Sequence, residues 1–335
     1  MSSAVPSVPR GRWRRPADAP MHVVVVGAGL AGLVAAREIR NAGHEVVVLD
    51  KSRSSGGRCA TRRIGDAVLD HGAQFFTVRS DDFARINAAW LRDDVTREWC
   101  RGFGSGDGHP RYCGTRGMTS ISKHFAAGLD VRYGQMAFNI ERAREAKGRD
   151  AGWRVHLDDG THHDADRVVV TCPVPQSMAL LMNAGPSVPD AIRTIEYDKT
   201  IAALVVIDGD SNVPEPGGVQ DGDATFSFVA DNRRKGVSPL AALTLHCNAA
   251  FSEAKWWADP SETHAEVMEL ARRWIGPARV VEHQPKRWRM ATPRTTWPER
   301  CWSSDGIVLA GDAFGGPRVE GAVLSGLAAA QRVLD

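Results

Sequence analysis

The stretch "HVVVVGAGLAGLVAAREIRNAGHEVVVLDK", His22–Lys51, decides the fold. It opens with a β-branched run, His22–Val26, which is typical of a strand buried on both faces. Glycines then follow in the spacing G-x-G-x-x-G, and after them come the apolar positions of a helix that Gly43 ends. A second strand, Glu45–Leu49, closes with Asp50. The order strand, tight turn, helix, strand predicts a Rossmann-like nucleotide-binding unit.

Each glycine of this motif has its own expected role. Gly27 allows the tight turn, Gly29 lets the backbone approach a pyrophosphate, and Gly32 lets the helix pack on the strand. The helix N-terminus offers free N–H groups and the positive end of its dipole to the phosphates. Asp50 is placed to accept ribose hydroxyls, and it disfavours a 2′-phosphate. The motif alone leaves FAD and NAD(P) open.

The next stretch, "SGGRCATRR" at Ser55–Arg63, favours the larger cofactor. Gly56 and Gly57 permit a backbone path that is closed to residues with a β-carbon. Arg58 can reach back to a pyrophosphate with a fixed fork of donors. A second anchor of this kind suits a large, permanently held cofactor such as FAD.

The C-terminal stretch "DGIVLAGDAFGGPRVEGAVLSGLAAAQRVLD" repeats the pattern. Ile307–Ala310 is predicted as a strand, Gly311 and Asp312 as its turn, and Gly321–Leu334 as a helix. Asp312 is expected to hold a ribityl chain. The helix N-terminus, near Val319 to Gly321, would direct its dipole at the flavin edge where negative charge develops on reduction. Together with the N-terminal motif, this pattern indicates FAD.

Composition excludes several other classes of function. The 335 residues are 43% hydrophobic and 24% charged, and the net charge of +2 is too small to suggest a nucleic-acid partner. The six cysteines show no paired spacing, which indicates reduced thiols in a cytoplasmic protein and no metal site. No apolar run approaches the roughly 20 residues that a membrane-spanning helix needs.

The first twenty residues, "MSSAVPSVPRGRWRRPADAP", are rich in Pro, Arg and Ser and show no periodicity. Arg14 and Arg15 could belong to a twin-arginine export signal, but no separate apolar stretch with a cleavage site follows. Residues 1–20 are therefore predicted to be a disordered extension, with Met21 opening the folded chain.

Taken together, the motifs resemble bacterial renalase-type flavoproteins, a branch of the FAD-dependent amine-oxidase superfamily with the p-hydroxybenzoate-hydroxylase-like fold. The resemblance rests on "GAGLAGL", "SGGRCATRR", "LDHGAQFFTVR", "GTRGM", "VVVTCPVPQ" and "GDAFGGPRVEGAVLSG". It runs from Met21 to Asp335 and is thin between about residues 180 and 280. It implies oxidation of the 2- and 6-dihydro isomers of NAD(P)H to NAD(P)+, with electrons passed to O2 to give H2O2.

Motifs and resemblance together assign residues to two groups. The predicted contacts with non-covalently held FAD are Gly27, Gly29, Leu30, Ala31, Gly32, Asp50, Lys51, Gly57, Arg58, Ala73, Gln74, Ala137, Gly311, Asp312 and Val319. The predicted substrate side comprises Phe75, Phe76, Thr77, Arg79, Thr200, Arg287, Trp288 and Arg318. No catalytic acid or base is assigned, because hydride transfer from a dihydronicotinamide carbon removes no proton.

Three positions depart from the resemblance and leave the substrate open. Lys286 stands where a histidine is expected, and Phe228 and Phe251 stand where tryptophans are expected. One alternative is a flavin amine oxidase that acts on a small amine, although a guanidinium near Arg318 would disfavour an ammonium. Another is a protein that keeps FAD for structure or redox sensing without turnover.

The predicted fold class is α/β, with a Rossmann-like FAD-binding domain and an antiparallel-sheet substrate domain. The FAD-binding domain is predicted over residues 21–78, 130–175 and 280–335, and the substrate domain over 79–129 and 176–279. Within the latter, one helix is expected from Ser80 to about Glu98, and another from an N-cap at Ser261 to Trp274, ended by Gly276. The oligomeric state is left open.

Overall fold

The structure is a computed structural model that describes residues 19–104, 108–143 and 152–335. Nearly all of the predicted N-terminal extension, residues 1–18, lies outside the described residues. In chain order the strands are β1 (His22–Val26), β2 (Glu45–Asp50), β3 (Thr61–Ile64), β4 (Ala67–Asp70), β5 (Thr96–Cys100), β6 (Arg111–Gly114), β7 (Asp130–Tyr133), β8 (Ala137–Arg142), β9 (Trp153–Leu157), β10 (His162–Ala165), β11 (Arg167–Val170), β12 (Tyr197–Asp208), β13 (Gly218–Gln220), β14 (Phe226–Asp231), β15 (Ala242–Cys247), β16 (Arg279–Pro293), β17 (Trp302–Ser304) and β18 (Ile307–Leu309). The helices are α1 (Leu30–Asn41), α2 (Asp81–Arg92), α3 (Thr119–Ala126), α4 (Val174–Leu180), α5 (Asp190–Arg193), α6 (Ala249–Lys255), α7 (Pro260–Ile275) and α8 (Val319–Leu334).

The first layer is a six-stranded sheet in the order β17-β18-β11-β1-β2-β7. β1 lies at its centre and pairs in parallel with both β2 and β11, as expected for a strand buried on both faces. Helices α1 and α8 pack against each other, and a Cβ on Gly326 would lie 2.4 Å from the Ala31 carbonyl oxygen. Glycine at this position therefore lets the two helices touch. The Rossmann-like unit predicted from His22–Lys51 is confirmed.

The second layer is a five-stranded antiparallel sheet in the order β13-β14-β15-β12-β16. Its core packs against α6 and α7 through residues such as Phe226, Val267 and Trp274. Smaller units complete the chain: a three-stranded sheet β10-β9-β8 and the two hairpins β3-β4 and β5-β6. The α/β fold class with an antiparallel sheet beside a Rossmann-like unit is thus confirmed.

Strand β16 belongs to the five-stranded sheet, where it pairs with β12 from Tyr197↔Pro293 to Asp208↔Arg279. The predicted domain boundary at residue 280 instead assigns this segment to the FAD-binding part. Backbone pairing therefore ties residues 279–293 to the antiparallel sheet. The division into domains itself stays a prediction.

Two predicted helix ends were wrong. Helix α2 ends at Arg92 and not near Glu98, because the chain turns at Asp94 (φ 53°) and enters β5, which pairs with β6. Helix α7 is capped by Asp259 and not by Ser261: the Asp259 carboxylate accepts hydrogen bonds from Ser261 N and Glu262 N. Its predicted end at Gly276 is confirmed, with φ 69° at that glycine.

A buried ion pair connects the end of β4 to the five-stranded sheet. Lys235 Nζ lies 2.7 Å from Asp70 Oδ2, and both side chains are 0% exposed. The other carboxylate oxygen of Asp70 accepts hydrogen bonds from Thr61 Oγ1 and Met118 N. Lys235 Nζ also lies 5.1 Å from the centre of the Trp99 ring. Four parts of the chain, the β3-β4 hairpin and the segments that carry Trp99, Met118 and Lys235, therefore meet at this ion pair.

The substitution Lys235→Met should lower the free energy of unfolding by about 3–5 kcal/mol, because it leaves the Asp70 carboxylate buried without its counter-ion. Urea unfolding followed by tryptophan fluorescence measures the loss. The matched control is Lys255→Met, which breaks a half-exposed pair with Glu266 and should cost less than about 1 kcal/mol. Equal losses in the two variants would contradict a special role for the buried pair.

Candidate functional site

The first glycine turn leaves room for a ligand at the N-terminus of α1. Gly27 has φ 112°, and a Cβ on Gly32 would lie only 2.0 Å from the Gly27 carbonyl oxygen. Around Gly29, by contrast, no described atom lies within 4 Å of where a Cβ would be. Within the described parts of the chain no side chain caps α1, so its first N–H groups are available to a phosphate. Leu30 and Ala31 begin this helix and are buried.

Asp50 and the second glycine pair lie against this turn. The Asp50 carboxylate accepts hydrogen bonds from Ala28 N at 2.6 Å and Ser52 N at 2.7 Å, which fixes it at the end of β2. Gly56 N donates to the Ala28 carbonyl oxygen, and a Cβ on Gly57 would lie 3.4 Å from Gly29 Cα. The "SGGR" turn thus packs on the "GAG" turn.

Arg58 and Asp312 form a two-pronged ion pair that joins the two glycine motifs. Both terminal nitrogens of Arg58 donate to the Asp312 carboxylate at 2.6 Å, and Nη1 also donates to the Ala291 carbonyl oxygen. The side chains are only 28% and 15% exposed. The sequence assigned the two residues to separate parts of FAD, to the pyrophosphate and to the ribityl chain. The structure additionally pairs them with each other, so each orients the other.

The remaining cofactor candidates line the same region. Ala73 N donates to the Arg58 carbonyl oxygen, and Gly311 has φ 133°. Helix α8 begins at Val319, two residues before the predicted start, and no side chain caps it. Leu30 and Val319 pack in one hydrophobic cluster, so the N-termini of α1 and α8 lie close together.

Two buried glutamine oxygens have no hydrogen-bond partner among the described residues. Gln74 Nε2 donates to the carbonyl oxygens of Asp70 and Gly72, while its Oε1 stays unpaired. Gln135 Oε1 is also unpaired, and its backbone N donates to the Asp50 carbonyl oxygen. Buried unpaired acceptors are costly, and FAD carries hydroxyl and N–H donors that could satisfy them.

Sequence analysis missed Gln135, although it selected Ala137 two residues later. Ala137, a predicted FAD contact, is the first residue of β8. Lys51, another predicted contact, directly follows β2 and is exposed. The available signal for Gln135 is its place just beyond β7, at the carboxyl end of a parallel strand, where ligands of such sheets bind.

The loop between β4 and α2, residues 71–80, carries four of the eight predicted substrate residues. Phe75 lies in an aromatic cluster with Trp99, Phe103 and Phe228, with ring centres 6.4, 5.3 and 5.6 Å from its own. Phe76 is 4% exposed and packs in the core against Phe83, Trp90 and Tyr112. The structure therefore separates the two neighbours, and Phe75 alone belongs to the aromatic cluster.

Glu320, at the start of α8, holds the end of the loop that carries Thr77 and Arg79, and Arg318 precedes it by two residues. The Glu320 carboxylate is 7% exposed and accepts hydrogen bonds from Arg79 N at 2.9 Å and from Ser80 N at 3.0 Å. Arg79 Nε lies 3.4 Å from Thr77 Oγ1, and the side chain of Arg318 is exposed. Sequence analysis missed Glu320, whose long-range contacts hold the loop against α8.

Thr200 and Trp288 lie directly opposite each other on β12 and β16. The Trp288 ring stacks on His71 with 5.3 Å between ring centres, and its Nε1 donates to the His71 carbonyl oxygen at 2.7 Å. Arg287 points to the other face, where it donates to the Trp256 carbonyl oxygen and lies 4.4 Å from the centre of that ring. Successive strand residues face opposite sides, so Arg287 is not brought together with Trp288.

Two buried histidines in this region are neutral at neutral pH. Burial, with the charges of Lys286 and Arg62, lowers the pKa of His71 to about 3. Burial also lowers the pKa of His246 to about 4. Among the described residues no three His, Cys, Asp or Glu side chains are placed to hold a metal ion, and no helix is long and apolar enough to cross a membrane.

Comparisons with known proteins place these features in a family. Residues 83–334 match the family described as flavin-containing amine oxidoreductase, and residues 25–90 match an NAD(P)-binding Rossmann-like domain. An L-amino-acid oxidase of Bothrops pauloensis is 57% identical over 44 residues, which are 13% of this chain and 9% of that protein. The Arabidopsis thaliana flavin-containing monooxygenase FMO GS-OX-like 2 is 33% identical over 169 residues, which are 45% of this chain and 35% of that protein. The matched stretches thus span only about a tenth to a third of these relatives.

Solved structures share the fold over nearly the whole chain. A protein of Exiguobacterium sp. 255-15, provisionally described as a protoporphyrinogen oxidase, has a TM-score of 0.71 at 14% identity, covering 94% of this chain and 99% of that one. A putrescine oxidase variant has a TM-score of 0.65 at 17% identity with the same coverage. At these identities the likeness concerns the fold alone. Because the family match extends over most of the sequence, from residue 83 to residue 334, the protein belongs to the flavin-containing amine oxidoreductase family and its cofactor is FAD.

Proposed function

We propose that the protein is an FAD-dependent oxidase that accepts hydride from an isomeric dihydronicotinamide dinucleotide, the 2- or 6-dihydro form of NAD(P), and passes the electrons to O2 to give H2O2. The observation that carries the proposal is the make-up of the loop at residues 71–80. Phe75 and His71 of this loop, with Trp288 of β16 stacked on His71, supply flat aromatic side chains, and Arg318 at the start of α8 adds an exposed guanidinium. Such a site suits a planar, anionic substrate.

FAD, when bound, supplies a hydride acceptor at N5 of its flavin ring. The protein then has to hold the nicotinamide ring flat and keep it in position; it does not have to remove a proton. His71 and His246 match this requirement, since imidazoles with pKa values of about 3 and about 4 attract a proton only weakly at neutral pH. The uncapped N-terminus of α8 would stabilise negative charge on the reduced cofactor.

A flavin amine oxidase is the second candidate function, because the family is named for amine oxidation and putrescine oxidase shares the fold. The positive charge of Arg318 disfavours an amine substrate. Arg318 has no ion pair within the described part of the chain, and an unpaired guanidinium raises the energy of a nearby ammonium.

The remaining alternative is a flavoprotein without turnover. Non-covalent binding of FAD is also proposed, since no cysteine lies between Gly311 and Leu334.

The first test mixes the purified yellow protein anaerobically with each candidate reductant. The 2- and 6-dihydro isomers of NAD(P)H should bleach the flavin absorbance at least about a hundredfold faster than ordinary NAD(P)H or putrescine, and admitting air should yield H2O2. Bleaching by amines instead would favour the amine-oxidase alternative. A flavin that none of these reductants bleaches would favour the alternative without turnover.

The substitution Arg58→Ala should weaken FAD binding at least about tenfold, because it removes a charge-assisted donor and leaves Asp312 without its partner. The measurement is the flavin absorbance per protein after dialysis. Arg92→Ala, which removes an exposed arginine at the end of α2, should keep full occupancy. Full occupancy in Arg58→Ala as well would remove Arg58 from the cofactor site.

The substitution Arg318→Ala should raise KM for the dihydronicotinamide about tenfold with FAD still bound, since one charged contact to substrate is lost. Steady-state kinetics with the better of the two isomers measures this change, again with Arg92→Ala as the control. An unchanged KM would exclude Arg318 from substrate binding.

A further inference from the structure

Lys286 is a half-buried cation without a counter-ion. It lies two residues before Trp288 on β16, and therefore on the same face of the strand. Its Nζ is 4.7 Å from the centre of the Trp288 ring, within the range of a cation–π contact. No carboxylate of the described residues forms an ion pair with it.

His71 gives a second, independent sign of an incomplete site. It is 7% exposed, and its Nδ1 is buried without a hydrogen-bond partner among the described residues. The residue is held in place, because its carbonyl oxygen accepts from Trp288 Nε1 and lies 3.1 Å from His246 Nε2. A rigid, unsatisfied polar atom beside an uncompensated cation is costly unless a ligand completes the arrangement.

A third group, Arg62 on β3, adds to the positive charge: His71 N donates to the Ala60 carbonyl oxygen at 3.0 Å, and Arg62 follows Ala60 by two residues. Burial and the Arg62 guanidinium together lower the pKa of Lys286. The same guanidinium acts on His71, together with Lys286 and His246, and all of these effects lower the His71 pKa. The charged side chains that act on Lys286 and His71 at this face of β16 are thus cations. The half-buried ammonium of Lys286 and the exposed guanidinium of Arg62 repel each other, and an anion between them would relieve the repulsion.

We propose that Lys286 and Arg62 bind a phosphate of the substrate, with the His71–Trp288 stack as the adjoining flat wall. The proposal rests on the proposed function and deepens it by locating a phosphate subsite. Phosphate fits because its several acceptor oxygens can bind an ammonium and a guanidinium at once, and a further oxygen can accept from His71 Nδ1 in the neutral tautomer that carries its proton there. An amine substrate would be repelled here.

This subsite is separate from the place where Arg58 anchors the cofactor region. Lys286 and Ala291, whose carbonyl oxygen accepts from Arg58, are five residues apart on β16. At about 3.3 Å per residue this is about 17 Å of backbone, and the Arg58 guanidinium is engaged by Asp312 at its own end. Arg318 lies near the opposite end of the 71–80 loop, beside Arg79 and Glu320. This face therefore suits a long substrate that carries negative charges at more than one point along its length.

The first measurement is calorimetric titration of the FAD-bound protein with inorganic pyrophosphate. The unchanged protein should bind it, and Lys286→Met and Arg62→Met should each raise Kd at least about tenfold. Lys286→Arg should keep most of the affinity. Arg63→Met is the matched control: Arg63 neighbours Arg62 on β3 and is equally exposed, but faces the other side of the strand. Equal flavin absorbance per protein in all variants shows that they are folded.

Failure of pyrophosphate to bind the unchanged protein, or equal weakening by Lys286→Met and Arg63→Met, would overturn the subsite. Steady-state kinetics with dihydro-NAD(P) tests the proposed function independently of pyrophosphate binding. If Lys286→Met leaves pyrophosphate affinity unchanged while dihydro-NAD(P) is still oxidised, the subsite is wrong and the function stands. If pyrophosphate binds through Lys286 but no dihydronicotinamide is oxidised, the subsite stands and a different phosphate-bearing substrate uses it.

Discussion

The buried pair of Asp70 and Lys235 is the interaction on which the arrangement of the site depends. Two fully buried opposite charges tolerate little displacement, since separating them would leave an uncompensated charge in the interior. Asp70 is the last residue of β4, and the loop that carries Phe75 and Thr77 begins immediately after it. The pair therefore sets where this loop leaves the hairpin, and with it the position of the aromatic cluster.

A second ion pair, Arg58 with Asp312, fixes the relative positions of the segments in the cofactor region. Its partners are 254 positions apart in the chain, yet each follows a glycine turn that approaches the same space between α1 and α8. Glycines at the helix crossing allow the two N-termini to come close, so two helix dipoles point toward one region. The close approach of the two backbones and the Arg58–Asp312 ion pair thus meet in one region, where the proposed contacts with FAD lie.

Electrostatics distinguishes the two sides of the site. On the cofactor side the charges are paired, as in Arg58–Asp312, and the acidic Asp50 is held by backbone N–H groups. On the proposed substrate side Lys286, Arg62 and Arg318 lack ion pairs within the described ranges of the chain, and burial keeps His71 neutral. An unpaired cationic surface beside aromatic rings favours flat anions over ammonium compounds. The proposed preference for an anionic substrate thus rests on uncompensated charge and not on a catalytic base.

The sequence by itself determined the Rossmann-like unit, the family's cofactor, and the approximate limits of α1, α7 and α8. These features arise from local patterns, namely strand and helix periodicity and glycine spacing within a few residues. Only the tertiary structure decided that Arg58 pairs with Asp312, that Glu320 holds the 71–80 loop, and that Arg287 turns away from Trp288. Such outcomes depend on contacts between segments more than 200 positions apart, and on which strand face meets the neighbouring layer. Successive residues of a strand point to opposite faces, so a shift of one residue moves a side chain to the other face. The local sequence pattern does not determine which face a given side chain takes.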